Sequence, residues 1–174
     1  DIADEMGCDL IQTAQALAPA GAIYFMMSED DVRRILSHPN AMIGSDGLPH
    51  DDHPHPRLWG TFPRVLGHYV REQGLFTLEE AVRRMTTLPA AQFGLVDRGK
   101  ISVGSYADLV LFNPETVIDR ATFEAPSQTA EGIDLVMVNG RIIWKEGAPT
   151  GARPGLALRR QSLGPMGLNP SVGR

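Results

Sequence analysis

Acidic, imidazole and guanidinium groups crowd into one stretch, Ser45-Asp46-Gly47-Leu48-Pro49-His50-Asp51-Asp52-His53-Pro54-His55-Pro56-Arg57. Its prolines and aspartates exclude a regular element. Asp46 is the sharpest candidate. Gly44 and Gly47 flank it and let the backbone turn there. A carboxylate so placed can bind a metal, take a proton from metal-bound water, or both; it can also simply cap the next element. His50, His53 and His55, with Asp51 and Asp52, could form a metal cluster. Their spacing matches no strong zinc signature, and prolines hold the loop extended, which splays side chains. The expectation is a pocket-lining loop in which one histidine supplies a hydrogen bond. Arg57 carries the planar fork suited to gripping a carboxylate, although pattern alone favours a surface pair with Asp51 or Asp52.

These residues need elements to hold them. Ile2, Met6, Leu10 and Leu17 recur at near-helical spacing, so residues 2–18 read as one amphipathic helix, stopped by Pro19 and Gly21. Cys8, inside it and without a nearby histidine, reads as a small hydrophobe. Ala22 to Met27 and Ala41 to Gly44 are short apolar runs of the kind found in parallel strands. Between them, Ser28 caps a helix whose first turn is acidic and whose inner face is Val32, Ile35 and Leu36. Strand, helix, strand is a βαβ unit. Asp46 then lies just past the carboxyl end of a parallel strand, the end that carries the active site in α/β barrels.

Residues 59–72 read as helical, with Pro63 in the first turn or at a kink. Thr77-Leu78-Glu79-Glu80 is a capping box opening a helix to about Met85. Leu88-Pro89 interrupts it before a short helix that ends at Gly94. Strands follow. Ala107 to Phe112 is one, in which Asp108 is expected to cap or pair with backbone. Ile133–Val138 and Arg141–Lys145 flank Asn139-Gly140, a strong hairpin signal. Trp59 and Trp144 read as packing residues. Three regions result: an α/β part over 1–90, a β-rich part over 95–150, and a mostly irregular tail over 151–174.

Bulk properties narrow the partners. The 174 residues carry a net charge of -5, which offers no basic face to nucleic acid. No apolar run approaches the roughly 20 residues of a membrane-spanning helix. One cysteine excludes an internal disulfide framework and fits a reducing cytoplasm. The first residues have neither an initiator Met nor a positive region, which suggests a truncated beginning rather than a signal peptide.

Ile43-Gly44-Ser45-Asp46-Gly47-Leu48-Pro49-His50-Asp51, followed by His55-Pro56-Arg57-Leu58-Trp59-Gly60-Thr61-Phe62-Pro63-Arg64-Val65-Leu66-Gly67, strongly resembles the N-acyl-D-amino-acid deacylases (D-aminoacylases) of the amidohydrolase superfamily. The likeness continues through Ala90-Ala91-Gln92-Phe93-Gly94-Leu95, Gly104-Ser105-Tyr106-Ala107-Asp108-Leu109-Val110 and Val136-Met137-Val138-Asn139-Gly140, so it spans about Tyr24 to Thr150. It implies α/β architecture: the last strands and helices of a metal-dependent (β/α)8 barrel, then strands of a small β-sandwich built from both chain ends. The chain would be the carboxy-terminal part, needing the remainder of the barrel as its partner.

By that resemblance Asp46 takes the place of the aspartate after the eighth barrel strand. There it accepts a proton from zinc-bound water, returns one to the leaving amine, and can itself be a metal ligand. Arg57 matches the arginine that grips the substrate α-carboxylate. The family's His-x-His, bridging Cys and further His ligands are expected upstream, and Cys8 is not that Cys. The implied activity is zinc-dependent hydrolysis of a small N-acyl-D-amino acid, with metal absent or weak in this chain alone. One rival is another amidohydrolase reaction, cyclic-amide hydrolysis or deamination; a neutral cyclic substrate would give Arg57 nothing to hold. The other rival is a non-catalytic partial module. In the complete enzyme, Asp46→Asn keeps the side chain's shape and removes the base, so kcat should fall by at least ~10²-fold with zinc mostly retained. Steady-state kinetics with metal analysis checks this; a variant within about tenfold of wild type sinks the assignment.

Overall fold

In the computed structural model, residues 2–21, 23, 25–48 and 50–159 are described. The start of the chain forms two helices rather than one: α1 (Ile2–Met6) and α2 (Leu10–Leu17). The break has a local cause. Gly7 takes φ 63°, and Asp9 opens α2 with a full capping box, accepting the N–H of Ile11 and Gln12 while Gln12 bonds back to its N–H. Cys8 therefore sits in the break, half-buried, not within a helix.

α3 (Glu29–Leu36) has the expected acidic first turn, though the side chain of Ser28 makes no cap bond. The apolar runs flanking α3 form no strand among the described residues; Ala22 and Tyr24 lie outside them. A parallel strand needs a neighbour to complete its ladder. Phe25, Met26 and Met27 have none here and are 78%, 82% and 73% exposed. Ile43 donates its N–H to the Arg84 carbonyl at the end of a helix instead.

α4 (Arg57–Arg64) runs directly into a π-helix, Val65–Glu72. Pro63 sits near the end of α4 rather than in its first turn, and with no N–H to donate it breaks the regular ladder just where the wider winding begins. α5 (Leu78–Met85) is capped by the Thr77 hydroxyl, which accepts the Glu80 N–H at 3.2 Å. The other half of the expected box is not made. The Glu80 carboxylate turns to Arg83 and Arg84, and their hydrogen bonds, Arg83's first, hold its pKa down at about 2. Arg84 is 3% exposed. It also donates to the Leu36 carbonyl and lies over the Phe76 ring, so its charge is paired wherever it is buried. α6 (Thr87–Phe93) starts earlier than expected, because Pro89 is tolerated in a first turn.

Four antiparallel strands follow in the order β1 (Leu109–Phe112), β2 (Ile133–Val138), β3 (Arg141–Lys145), β4 (Ala148–Pro149). Asn139 and Gly140, at φ 47° and 75°, make the turn between β2 and β3. Asp108 fixes that turn from outside: it accepts the Asn139 N–H at 2.7 Å and pairs with Arg98, which also holds the Asn139 side chain. From Gly151 to Arg159 no regular element forms, and the rest of the expected tail lies outside the described residues.

The core is shared between the helices and the sheet. Val65, Leu66 and Tyr69 of the π-helix and Ala81 of α5 pack on Val117, which is fully buried. Phe112 and Ile133 join them from the sheet side. Backbone polar groups in the Val117 segment find partners in Arg71, whose guanidinium donates to the carbonyls of Val117 (2.6 Å) and Pro114 (3.1 Å). Gly67 lets the π-helix come this close. A Cβ there would stand 2.5 Å from the Val117 carbonyl oxygen and nearer still to the Ile118 side chain. Gly67→Ala should therefore destabilise by about 1–3 kcal/mol, the usual cost of overpacking. Urea unfolding checks this; an unchanged midpoint would show that the two segments separate freely.

Candidate active site

The site is built where the Pro-rich loop meets the start of α4. Gly47 brings the two together. Its φ of 154° disfavours other residues, and a Cβ on it would stand 2.8 Å from Leu58 Cβ. With the loop folded down, Arg57 Nη2 donates to Asp46 Oδ2 at 2.5 Å. Arg57 thus pairs with Asp46, not with Asp51 or Asp52. The two groups are 51% and 71% exposed, so the pair is open to solvent and to exchange.

The three histidines do not converge. The His53 ring donates from Nε2 to the Phe123 carbonyl at 2.6 Å. His55 Nδ1 accepts the Arg57 N–H at 3.0 Å, which leaves Nε2 to carry the proton of the neutral ring. Burial pushes the His55 pKa below the ordinary value and the Arg57 guanidinium adds to this, with Asp46 opposing. His55 is thus held neutral at pH 7 and anchors the first turn of α4. Its ring meets Phe123 edge-on at 5.2 Å, and Phe123 meets Phe25 in the same way at 4.8 Å.

A cavity of about 520 Å³ opens beside this loop. Arg57, Gly60, Thr61 and Arg64 line one wall, Asp119 and Phe123 the opposite wall, and His55 and Tyr69 also face in. Asp46 stands outside the lining and meets the cavity through Arg57. Arg64 faces Asp119 at 3.5 Å. The Tyr69 hydroxyl donates to Glu29 at 3.5 Å, and burial, followed by the Glu29 charge, raises its pKa. Of the expected residues, then, the structure brings Asp46, Arg57 and His55 together and sends His53 to the far wall. Thr61 and Arg64 were not singled out from sequence, although their four- and seven-residue spacing from Arg57 puts them on one helical face. Asp119 and Phe123 gave no sequence signal. Trp59, expected to pack, is 43% exposed.

Comparison with known proteins places this geometry. The chain matches the amidohydrolase family over residues 6–144. It is 56% identical over 162 residues to N-acyl-D-glutamate deacylase of Alcaligenes xylosoxydans xylosoxydans, covering 93% of this chain and 33% of that protein. A crystal structure of D-aminoacylase superposes with a TM-score of 0.82 at 60% identity, over 87% of this chain and 32% of that one. N-acyl-D-glutamate deacylase from Bordetella bronchiseptica, solved with zinc and a phosphonate mimic of the tetrahedral intermediate, superposes with a TM-score of 0.86 at 56% identity, over 91% and 33%. The chain belongs to the amidohydrolase family and adopts part of a barrel-type hydrolase fold. It spans about a third of the length of these relatives.

Zinc is therefore the metal to test against the donors present. Among the described residues, no group of three or more His, Cys, Asp or Glu side chains could hold a metal ion. Asp46 is engaged by Arg57, and the Cys8 thiol points to the Met6 carbonyl. A catalytic zinc takes about three protein ligands, and these residues do not supply such a set. After dialysis against a mild chelator, the 174-residue chain should retain no stoichiometric zinc; elemental analysis finding one firmly held zinc per chain would overturn this.

Proposed function

We propose that this chain is the carboxy-terminal part of a zinc-dependent N-acyl-D-amino-acid deacylase. The complete protein would hydrolyse a small N-acyl-D-amino acid to a carboxylate and a free D-amino acid. On this reading residues 1–90 end a (β/α)8 barrel, 95–150 supply strands of a β-sandwich, and the rest of the barrel brings the zinc ligands. The enzyme would work in the cytoplasm. Among the described residues no helix is long and apolar enough to cross a membrane.

The observation that carries the proposal is the pairing of Asp46 with Arg57, which lines the cavity, in a chain 56% identical to an N-acyl-D-glutamate deacylase. The two groups divide the work. Arg57, fixed at the start of α4 by His55, would bind the α-carboxylate and place the amide carbon within reach of water. Holding the reactants in place lowers the entropic part of the barrier. As water adds to the carbonyl carbon, Asp46 takes its proton. It then passes that proton to the amide nitrogen, the C–N bond breaks, and the amine leaves. Asp46 could also be a metal ligand in the complete protein.

Substrate charge tests this. Arg57→Ala should cost on the order of 2–4 kcal/mol in kcat/KM for an N-acyl-D-amino acid, the range for truncating one partner of a charge-assisted pair. The corresponding N-acyl-D-amino amide lacks the carboxylate. It should be a poor substrate for the wild type and almost unaffected by the substitution. Equal losses on acid and amide would make Arg57 structural and remove the main support for a carboxylate-bearing substrate.

A further inference from the structure

We propose that Arg84 is a positioning residue for Asp46: it fixes the backbone that delivers the carboxylate, without itself lining the cavity. This rests on the role proposed above for Asp46 and adds what holds that residue in register. Between α3 and Asp46 the chain turns through Ser37 to Asn40 and then runs through Ala41 to Gly44. α5 grips that passage at three points. The Arg84 guanidinium donates to the Leu36 carbonyl at the end of α3. Arg83 Nη2 donates to the Pro39 carbonyl at 2.8 Å, within the turn. The Arg84 carbonyl accepts the Ile43 N–H at 3.2 Å. That carbonyl belongs to the last turn of α5, where carbonyls have no partner inside the helix. One residue thus holds both ends of the segment that leads into Asp46.

Glu80 makes the two arginines one unit. Its Oε1 accepts Arg84 Nε at 2.6 Å and Arg83 Nη2 at 2.9 Å, and its Oε2 accepts Arg83 Nε at 2.8 Å. A planar fork can serve a carboxylate and a carbonyl together, which an ammonium cannot do. Arg84 is almost fully enclosed by residues of this chain and lies over the Phe76 ring. The remainder of the protein can therefore cover the clamp further, but a guanidinium so enclosed and paired is costly to pull away. What the clamp secures is the aim of the base. A base acts only within hydrogen-bond reach of its proton, and a misplacement of about 1 Å can cost up to about 10²-fold in rate. Arg57 is held separately, by His55 at the first turn of α4, so loosening the clamp should spare substrate binding.

The test is a double-mutant cycle on the complete protein, with equal metal content verified in every variant and the same N-acyl-D-amino acid as for Arg57→Ala. Arg84→Lys keeps the charge and removes the fork. It should lower kcat by about tenfold or more and leave KM within about twofold. In the Asp46→Asn background, where the base is already gone, the same substitution should cost nothing further. An equal loss in both backgrounds would mean that Arg84 supports the fold without acting through Asp46, and would overturn the proposal. A kcat unchanged by Arg84→Lys, or a KM that rises as much as kcat falls, would overturn it as well. If Arg84→Lys does not fold, Arg83→Gln takes its place in the cycle. The Arg83 side chain is 41% exposed, so this change releases Pro39 without burying an unpaired charge; the same outcomes decide, on a smaller fall in kcat. Failure of the base assignment shows in Asp46→Asn alone, and failure of the clamp shows only in the arginine variants, so the two fall separately.

Discussion

The close approach of the π-helix to the Val117–Ile118 backbone is the contact on which the rest depends. It joins the helices to the sheet, since Val117 is buried against Val65, Leu66 and Tyr69 on one side and Phe112 and Ile133 close the same core. It also makes the cavity. Arg57, Thr61 and Arg64 stand on the helix leading into the π-helix, while Asp119 and Phe123 follow Ile118 directly. The spacing of the two walls is thus fixed by Gly67, where no side chain intervenes, and by Arg71, which ties down carbonyls that burial would otherwise leave unpaired.

The charged groups fall into two kinds. Arg84 and Arg98 are built into the fold: each is almost enclosed, meets a carboxylate, and lies over a ring, Phe76 and Tyr106 respectively. Burial makes such groups costly to unpair. Arg57 and Arg64 face a cavity, stay about half exposed, and meet their carboxylates in single contacts. Groups of this kind can change partners, as a binding site requires.

Features set by local chemistry were legible in the sequence. Asn139-Gly140 closes its hairpin, Thr77 caps α5, and Asp108 pairs with backbone as its place before an apolar strand suggested. The match of the loop and α4 to D-aminoacylases was legible too, because its residues are consecutive. Misreadings arose where a short-range choice overrode the pattern. Residues 2–17 keep helical spacing, but the Asp9–Gln12 box begins a new helix in their midst. Of the two places open to Pro63, the first turn or a kink, the structure takes the second: it interrupts one winding and admits another. The far wall of the cavity was invisible, since nothing local relates Asp119 and Phe123 to Arg57. The partner of Arg57 was misjudged for a similar reason. Asp51 and Asp52 are nearer in sequence, but the fold at Gly47 delivers Asp46.

The apolar runs that flank α3 bear on the proposed barrel. Ala41 to Gly44 precedes Asp46, and Ile43 bonds to the Arg84 carbonyl and packs against the shared core. Phe25, Met26 and Met27 expose large side chains on both faces of their run, with one aromatic contact to Phe123. Exposed apolar surface on this scale marks an interaction surface, and the pattern suits strands flanked on both sides. In the proposed barrel those neighbours would be other strands, and a paired Ala41–Gly44 would stiffen the backbone that carries Asp46. The carboxylate would then be aimed by a ladder at its N-terminal side and by Gly47 packed on Leu58 at the other. Arg57 needs no such help, being set by His55 and the first turn of α4. The proposed base and the proposed carboxylate-binding arginine therefore rest on independent supports, the one on the backbone before and after Asp46 and the other on the first turn of α4.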